Sequence, residues 1–231
     1  AFRTKTADEW ERCFAAHGIP GCKTRTLREW LDSDHARDSG LIGADGRRCS
    51  MSWTHPGAAK TVRGPEREDD PPLMGLRVVD LCNVIAGPCV GGLLARYGAE
   101  VVKVDPVVPT YDPLVTVVYG YPHNWGKRCE RFDWNGDDRA RNRLLRWADV
   151  VLVNQTTQQV ARLAGLDSPD VMLMHFDAFG GPLEAGPLLN AVGYDDLLQA
   201  ASGIMHRVGG GLHAPQEHAH IGTIDVVSGI V

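Results

Sequence analysis

From residue 74 onward, the chain alternates short apolar runs rich in β-branched residues with segments that carry a helical pattern. The runs predict β-strands at residues 76–81, 100–104, 129–134, 150–153 and 171–176. The helices predicted between and after them lie at residues 88–97, 137–147, 156–163 and 196–202. Strands that alternate with helices form parallel sheets covered on both faces. We therefore expect an α/β fold with a doubly wound, parallel, Rossmann-like sheet that binds its ligands at the carboxyl ends of the strands.

The first 60 residues carry a different pattern, that of short helices. Apolar side chains recur every three or four residues across 7–17, and a second helix is expected after Thr26, which can form a capping box with Glu29. A charged stretch that ends in two prolines follows and is typical of a linker. The predicted organisation is a small helical segment of a second domain at residues 1–60, a linker at 61–73 and the α/β domain at 74–231.

Charge and cysteine usage narrow the class of protein. The sequence has 24 basic and 29 acidic residues, a net charge of −5, so no broad positive field favours nucleic acid or an anionic membrane surface. No apolar run approaches the roughly 20 residues of a membrane-spanning helix, and the first residues lack the apolar core of a signal peptide. Six cysteines without a C-x-x-C pair argue against a zinc knuckle or a disulfide framework. We expect a cytoplasmic protein without nucleic-acid or membrane partners.

The turn after the first predicted strand invites comparison with dinucleotide-binding proteins. Gly87 and Gly91 lie at this turn, and Asp105 ends the second predicted strand. The spacing does not give G-x-G-x-x-G, because Cys89 occupies the position of the glycine that lets the backbone approach a pyrophosphate. A helix N-terminus that accepts an anion, with Pro88 at the first helical position, explains the turn better. Dinucleotide binding remains an alternative.

Three histidines invite a metal hypothesis. His213, His218 and His220 lie within eight residues of one another, in a loop of Gly, Pro and Gln. No carboxylate accompanies them at a spacing typical of metal ligands. We therefore predict a solvated loop and no metal site.

One acid stands alone in an apolar stretch near the end of the sequence. Asp225 lies within the run Ile-Gly-Thr-Ile-Asp-Val-Val at residues 221–227. A carboxylate in such a place either caps a helix or is buried at a cost, and buried acids with raised pKa values are common in active sites. Position alone leaves capping and catalysis both open.

A series of motifs then resembles one known family. Residues 75–106 contain a strand ending in Asp-Leu, a loop to Ala-Gly-Pro, a helix, Gly-Ala-Glu and then Val-Val-Lys-Val-Asp-Pro. Further motifs follow in order: Asn-Trp-Gly-Lys-Arg at 124–128, Ala-Asp-Val-Val-Leu-Val-Asn at 148–154, Gly-Tyr-Asp at 193–195, and Asp225 with Gly229. In this order they resemble the N-terminal half of the family III CoA-transferases, the CaiB–BaiF family. The T-x-x-E-W motif at 6–10 and Gly-Ile-Pro at 18–20 resemble the C-terminal region of the same family, so the two segments stand in reversed order.

The sequence also departs from the family pattern. Asn154 is followed by Gln-Thr-Thr where the family usually has Phe-Arg-Pro. Tyr194 stands where racemase relatives carry a catalytic histidine, which disfavours an acyl-CoA racemase.

The resemblance implies CoA transfer between an acyl-CoA thioester and a carboxylic acid through an aspartyl-CoA intermediate. It implies Asp225 as the catalytic carboxylate, coenzyme A as part of the substrate, and no metal. The residues that it implies for CoA binding are Ala86, Lys103, Lys127, Arg128, Asn154 and Arg162, of which the four cations are expected near the carboxyl edge of the sheet.

The family also assembles its site between modules of an intertwined homodimer, so a partner copy or a fused second module is expected. Residues 1–231 are then not a complete enzyme by themselves. The alternative from another class is a CoA-binding or scaffolding module that lacks a complete active site.

Overall fold

A computed structural model describes residues 2–43, 45–46, 64–110, 112–168, 170–219 and 222–230. The chain divides into two compact units. The first unit consists of the described residues within 1–54, 156–158 and 177–224, and the second of those within 55–155, 159–176 and 225–231. The division predicted from family segments, at residues 60 and 74, stays a prediction, and residues 61–63 of its linker lie outside the described residues.

The second unit contains a five-stranded parallel sheet. Its strands are β1 Arg77–Asp80, β2 Glu100–Asp105, β3 Arg128–Arg131, β4 Val150–Val153 and β5 Met172–His175. The strand order is β3-β2-β1-β4-β5. The chain thus builds outward from β1 on one side and then returns to place β4 on the other side. The predicted α/β fold with a parallel sheet is confirmed, and the carboxyl ends of β1 and β4 flank the topological switch point, where such sheets bind ligands.

The helices follow the sequence pattern in part. They are α1 Ala7–Ala16, α2 Leu27–Leu31, α3 Asp34–Asp38, α4 Ala86–Arg96, α5 Pro113–Asn124, α6 Asp138–Trp147, α7 Thr157–Val160, α8 Asp195–Ala201, α9 Ile204–Gly209 and α10 Thr223–Ser228. The sequence patterns did not predict α3, α5 or α9, and they left open whether the run around Asp225, now α10, is a helix. The composition of α5 explains its omission, since Val, Thr and Tyr favour strands and Pro122 lies inside the helix. Pro113 at its first turn and the Asp112 side chain, which accepts from the Leu114 N–H at 2.8 Å, mark its start.

Two apolar cores lie on opposite faces of the sheet, because successive strand residues point to opposite sides. Val79, Val102 and Val151 pack with Leu144 of α6 on one face. On the other face, the alternate strand residues pack with Val90 of α4. All four residues of β4 are buried, as expected for a central strand of a parallel sheet.

The described residues of the first unit pack around a smaller apolar core and hold a buried ion pair between Arg25 and Glu11. Phe179, Leu188 and Ala201 are buried, and Trp30 packs against them. The predicted capping box of α2 is confirmed.

Candidate active site

The loop between β1 and α4, residues 81–85, lies at the switch point and is strained. Val84 has a φ of 60°, a left-handed conformation that a β-branched residue rarely adopts. Asn154, the first residue after β4, holds the same loop. Its side-chain carbonyl accepts from the Asn83 N–H at 2.7 Å, and its side-chain amide donates to the Asn83 C=O at 2.7 Å. Strained backbone that is fixed by its surroundings is typical of functional sites.

The first turn of α4 packs tightly against this loop and against Asn154. A Cβ at Gly87 would lie 2.4 Å from the Cys82 Sγ atom and 3.1 Å from the Asn154 Cβ atom, so only glycine allows this approach. No side chain caps the helix at Ile85. No side-chain cap therefore competes with an anion for the backbone N–H groups at this N-terminus, as the predicted anion site requires.

Asp225 lies in the first turn of α10 and is half-buried. Two contacts join α10 and the residue that follows it to the first turn of α4. A Cβ at Gly229 would lie 2.8 Å from the Ala86 carbonyl oxygen, and the Cys89 Sγ atom is 3.9 Å from the Val226 carbonyl oxygen. Burial raises the pKa of the Cys89 thiol, and the charge of Asp225 adds to this rise. The structure thus brings together three of the sequence-predicted site residues: Ala86, Asn154 and Asp225.

A polar network in the first unit fixes the residue that precedes Asp225. The Asp195 carboxylate accepts from the Ile224 N–H at 2.5 Å and also from the side-chain amide of Gln199. Gln199 is fully buried, and its side-chain carbonyl accepts from the His218 N–H at 2.8 Å.

Lys127 lies beneath α4 with its side chain 1% exposed. Its ammonium donates to the Asp80 carboxylate at 2.6 Å, to the Pro88 C=O at 2.8 Å and to the Asn124 side-chain carbonyl at 2.9 Å. Burial lowers the pKa of Lys127, and Asp80 opposes that effect.

Lys103 is also buried and paired. Its ammonium donates to the Asp105 carboxylate at 2.6 Å and to the Val104 C=O at 3.1 Å. Burial raises the pKa of Asp105, but the hydrogen bond and charge of Lys103, together with the hydrogen bond from Cys129 and the charge of Lys127, outweigh burial, and the net shift is downward. Lys103 lies near the carboxyl end of β2, as expected, with its charge already engaged.

The other two cations lie in different surroundings. Arg128 is the first residue of β3, and its guanidinium donates at 2.7 Å to Glu100, the first residue of β2. Arg128 therefore lies at the amino ends of the strands, and the expectation that it lies at the carboxyl edge is wrong. Arg162 is exposed and follows α7, on the chain that leaves the carboxyl end of β4.

Two kinds of feature are absent from the described residues, a metal-binding cluster and a membrane-spanning helix. No group of three or more His, Cys, Asp or Glu side chains in these residues could hold a metal ion. His220 lies outside them. Within the same residues, no helix is both long enough and apolar enough to cross a membrane.

Sequence reasoning missed three residues of the site. Asn83, Val84 and Asp80 shape the switch-point loop through backbone contacts and an unusual φ angle. Such features depend on where the neighbouring strands lie and leave no periodic pattern. The only available signal was the Asp-Leu that ends β1, which sequence analysis used as a motif and not as a contact.

Comparison with known proteins gives a consistent result. Residues 73–231 match the sequence profile of CoA-transferase family III. The chain is 34% identical over 278 aligned residues to the CoA-transferase/lyase DddD of Marinomonas sp. strain MWYL1, covering 99% of this chain and 33% of DddD. It is 32% identical over 183 residues to the succinate–glutarate CoA-transferase of Agrobacterium fabrum strain C58, covering 69% of this chain and 44% of that protein.

Solved structures show the same relationship. The crystal structure of Rv3272 from Mycobacterium tuberculosis has a TM-score of 0.56 at 29% identity, covering 69% of this chain and 48% of that one. A CaiB/BaiF family protein from Brucella suis has a TM-score of 0.52 at 27% identity, covering 70% of this chain and 49% of that one. The chain thus spans a third to a half of the length of these relatives.

Proposed function

Because the chain belongs to CoA-transferase family III, we propose that it carries part of a site that transfers CoA from an acyl-CoA thioester to a carboxylic acid. DddD and the succinate–glutarate transferase share CoA transfer in their names, whereas of these two only DddD is also named a lyase. The proposal therefore commits to transfer. The observation that carries it is the packing of α10, with Asp225 in its first turn, on the first turn of α4 at the switch point.

In the proposed reaction, an Asp225 carboxylate oxygen attacks the thioester carbonyl carbon, and the C–S bond breaks to give a mixed anhydride and CoA thiolate. The thiolate then attacks the Asp225 carbonyl of the anhydride, which releases the donor acid and leaves an aspartyl-CoA thioester. The acceptor carboxylate attacks the carbonyl carbon of this thioester, and the C–S bond breaks to give a second mixed anhydride and CoA thiolate. The thiolate then attacks the acceptor's carbonyl carbon, and the bond from that carbon to the Asp225 oxygen breaks to give the new acyl-CoA. Asp225 ends as a free carboxylate, so atoms and charges balance.

The geometry supports a role for Asp225 as a nucleophile. It is half-buried, which limits the hydration of a carboxylate, and it lies in the first turn of a helix, where the backbone dipole favours negative charge. Ala86 lies in the first turn of α4, on which α10 packs, and Asn154 lies against the same turn. We propose that both residues contact or position CoA. Arg162 is the exposed cation on the chain leaving β4, and we propose it as a phosphate ligand.

The test of Asp225 is covalent trapping in the whole native polypeptide that carries this chain. Incubation with acyl-CoA and then hydroxylamine should convert Asp225 to its hydroxamate, which peptide mass spectrometry detects. Asp225→Asn should lower transfer by about a thousandfold or more, the order seen when an enzyme loses its nucleophile. Asp196→Asn is the matched control, since Asp196 is an exposed acid in the first turn of α8. Near wild-type transfer by Asp225→Asn would overturn the proposal.

A second candidate function is a CoA-binding or scaffolding module. The chain spans 33% of DddD and 44% of the succinate–glutarate transferase, so the activity of those whole proteins is a proposal for it and CoA binding without transfer is kept as the alternative. We propose, within the first function, that a partner copy or a fused second module completes the site in the cytoplasm. Residues 1–231 alone should then bind CoA without transferring it. Full turnover by these residues alone would contradict the need for a second module, and CoA binding without transfer by the whole polypeptide would favour the scaffold.

A further inference from the structure

A fully buried ion pair lies between β1 and α4. The Lys127 ammonium and the Asp80 carboxylate are 2.6 Å apart, and their side chains are 1% and 0% exposed. The remaining donors of the ammonium go to the Pro88 C=O at 2.8 Å and to the Asn124 side-chain carbonyl at 2.9 Å. An ammonium has three N–H donors, so Lys127 has none left for a phosphate oxygen.

The helix closes over this pair. A Cβ at Gly91 would lie 2.6 Å from the Asp80 Oδ2 atom and 2.9 Å from the Lys127 Nζ atom. Glycine is therefore required where α4 crosses the pair. A ligand approaching from the side of the helix could not reach the ammonium without moving α4.

The same pair fixes both ends of the switch-point loop. At the β1 end, the second oxygen of Asp80 accepts from the Cys82 N–H at 2.9 Å. At the α4 end, Lys127 holds the C=O of Pro88, in the first turn of the helix. The Ala86 carbonyl in this turn is also the surface on which Gly229, just after α10, packs. A shift of the turn would therefore move the support of the helix that carries Asp225.

A lysine is a costly way to fill this space. Taking two charges out of water costs free energy that their attraction only partly returns, and apolar side chains of similar size are often at least as stabilising. Directional hydrogen bonds to a carbonyl and a carboxylate are what an apolar side chain cannot supply. This comparison favours positioning of the turn over simple stabilisation as the role of Lys127.

We propose that Lys127 is a positioning residue for the transfer site: through Pro88 and Asp80 it fixes the first turn of α4, and thereby the helix that carries Asp225, and it does not contact CoA. The inference rests on the proposed function of Asp225. It replaces a phosphate contact, which the family resemblance implied for this lysine, with a buried structural contact that acts on the rate of acylation.

The experiment uses the whole native polypeptide and two matched double variants. Lys127→Met with Asp80→Asn removes both charges and lets residue 80 keep its bond to the Cys82 N–H. The control is Arg77→Met with Asp149→Asn, which removes an ion pair of 3.0 Å at the opposite, amino end of the same strand β1. Gly91→Ala is a third variant, because its added methyl displaces the pair without removing charge. Each is measured for the single-turnover rate of Asp225 acylation and for CoA affinity as a function of salt.

The proposal predicts that the Lys127 variant and Gly91→Ala acylate Asp225 about tenfold to a hundredfold more slowly, as expected for a small misplacement of reacting groups. The control pair should stay within about threefold of wild type in the same assay. The Lys127 variant should keep the wild-type salt dependence of CoA affinity, because a buried ammonium that does not contact the CoA phosphates adds nothing that salt can screen. Arg162→Met should show a weaker salt dependence of CoA affinity, because it loses an exposed phosphate contact. The double variant is judged by its rate if it folds, and Gly91→Ala carries the test if it does not.

Three results would overturn the proposal. Equal slowing in the Arg77 and Asp149 control would show that general stability of β1 is responsible. A weaker salt dependence in the Lys127 variant would show a direct phosphate contact. Unmodified Asp225 in the wild-type protein during transfer would remove the proposed function and the positioning role with it, and this failure is distinguishable because it appears without any variant.

Discussion

The side chain of Asn154 holds both backbone polar groups of Asn83, with each of the two hydrogen bonds 2.7 Å long. The two residues follow β4 and β1, which are neighbours in the sheet. One amide thus joins two strand ends across the switch point and holds the loop that contains the strained Val84.

Replacing Asn154 by alanine should loosen this loop. Both backbone groups of Asn83 would lose their partner, which should lower the free energy of unfolding by about 1–3 kcal/mol. Urea unfolding measures this change. Asn142→Ala, at an exposed position of α6, is the control and should change stability little. Equal stability of both variants would show that water replaces the amide.

Two arginines should differ in their effect on CoA binding. Arg162→Ala should weaken CoA binding about tenfold or more at low salt, because a charge-assisted phosphate contact contributes about 1.5–3 kcal/mol. Arg128→Ala should leave CoA affinity unchanged, since Arg128 pairs with Glu100 at the amino ends of the strands. Isothermal titration calorimetry compares the two. If Arg128→Ala weakened CoA binding and Arg162→Ala did not, CoA would bind at the amino ends of the strands, which contradicts the proposal.

A larger residue at Gly229 should shift α10 and therefore displace Asp225. A methyl group there would lie 2.8 Å from both the Ala86 carbonyl oxygen and the Cys89 Cβ atom, so α10 must shift in Gly229→Ala. We expect acylation of Asp225 to slow about tenfold or more, measured by hydroxylamine trapping. Gly64→Ala is the control, because no atom of the described part of the chain lies within 4 Å of its added methyl. Unchanged trapping would mean that α10 is not held by this contact.

The buried pair of the first unit should be sensitive to loss of one charge. The guanidinium of Arg25 donates to both oxygens of Glu11, and the two side chains are 8% and 6% exposed. Arg25→Met leaves a buried carboxylate unpaired and should cost about 3–5 kcal/mol. The exposed Lys23–Asp8 pair is the comparison, and Lys23→Met should cost at most about 1 kcal/mol. Thermal unfolding measures both losses of stability. Equal losses in Arg25→Met and Lys23→Met would contradict the prediction.

His35 should make the first unit sensitive to acid. Burial lowers the pKa of this histidine below 6.5, against the backbone bond to Phe179 and the charges of Glu11 and Asp177. The unfolded chain then takes up a proton at a higher pH than the folded chain. Stability is fully present above the unfolded pKa and falls as pH drops from about 6.5 toward the lowered folded pKa.

His35→Phe provides the check. The variant loses the acceptor that the His35 ring offers to the Leu188 N–H at 3.2 Å, so it should be less stable at neutral pH. Its unfolding midpoint should nevertheless vary less with pH between 7 and 5 than that of the wild type. An identical pH dependence in both proteins would assign the acid sensitivity to other groups.

Local patterns in the sequence determined the strands and most of the helices around them. β4 coincides with its predicted residues because four consecutive buried residues of a central strand leave an unbroken apolar run. The Thr26 and Glu29 capping box formed as expected, since it needs only residues three apart. The motifs that resemble the family also singled out Asp225, which position alone left open, and its role as acyl acceptor stays a proposal.

Only the tertiary structure decided which charged side chains are buried in ion pairs and which stay exposed. From the sequence, Lys127 and Arg128 are adjacent cations after a glycine. In the fold, one is buried against Asp80 and Pro88, whereas the other is exposed and pairs with Glu100. Adjacent residues in an extended chain point to opposite sides, and their partners come from residues 28 to 47 positions away, so no local pattern encodes them. The partners of a charged group are fixed by strand order and register, which the chain acquires only when it folds.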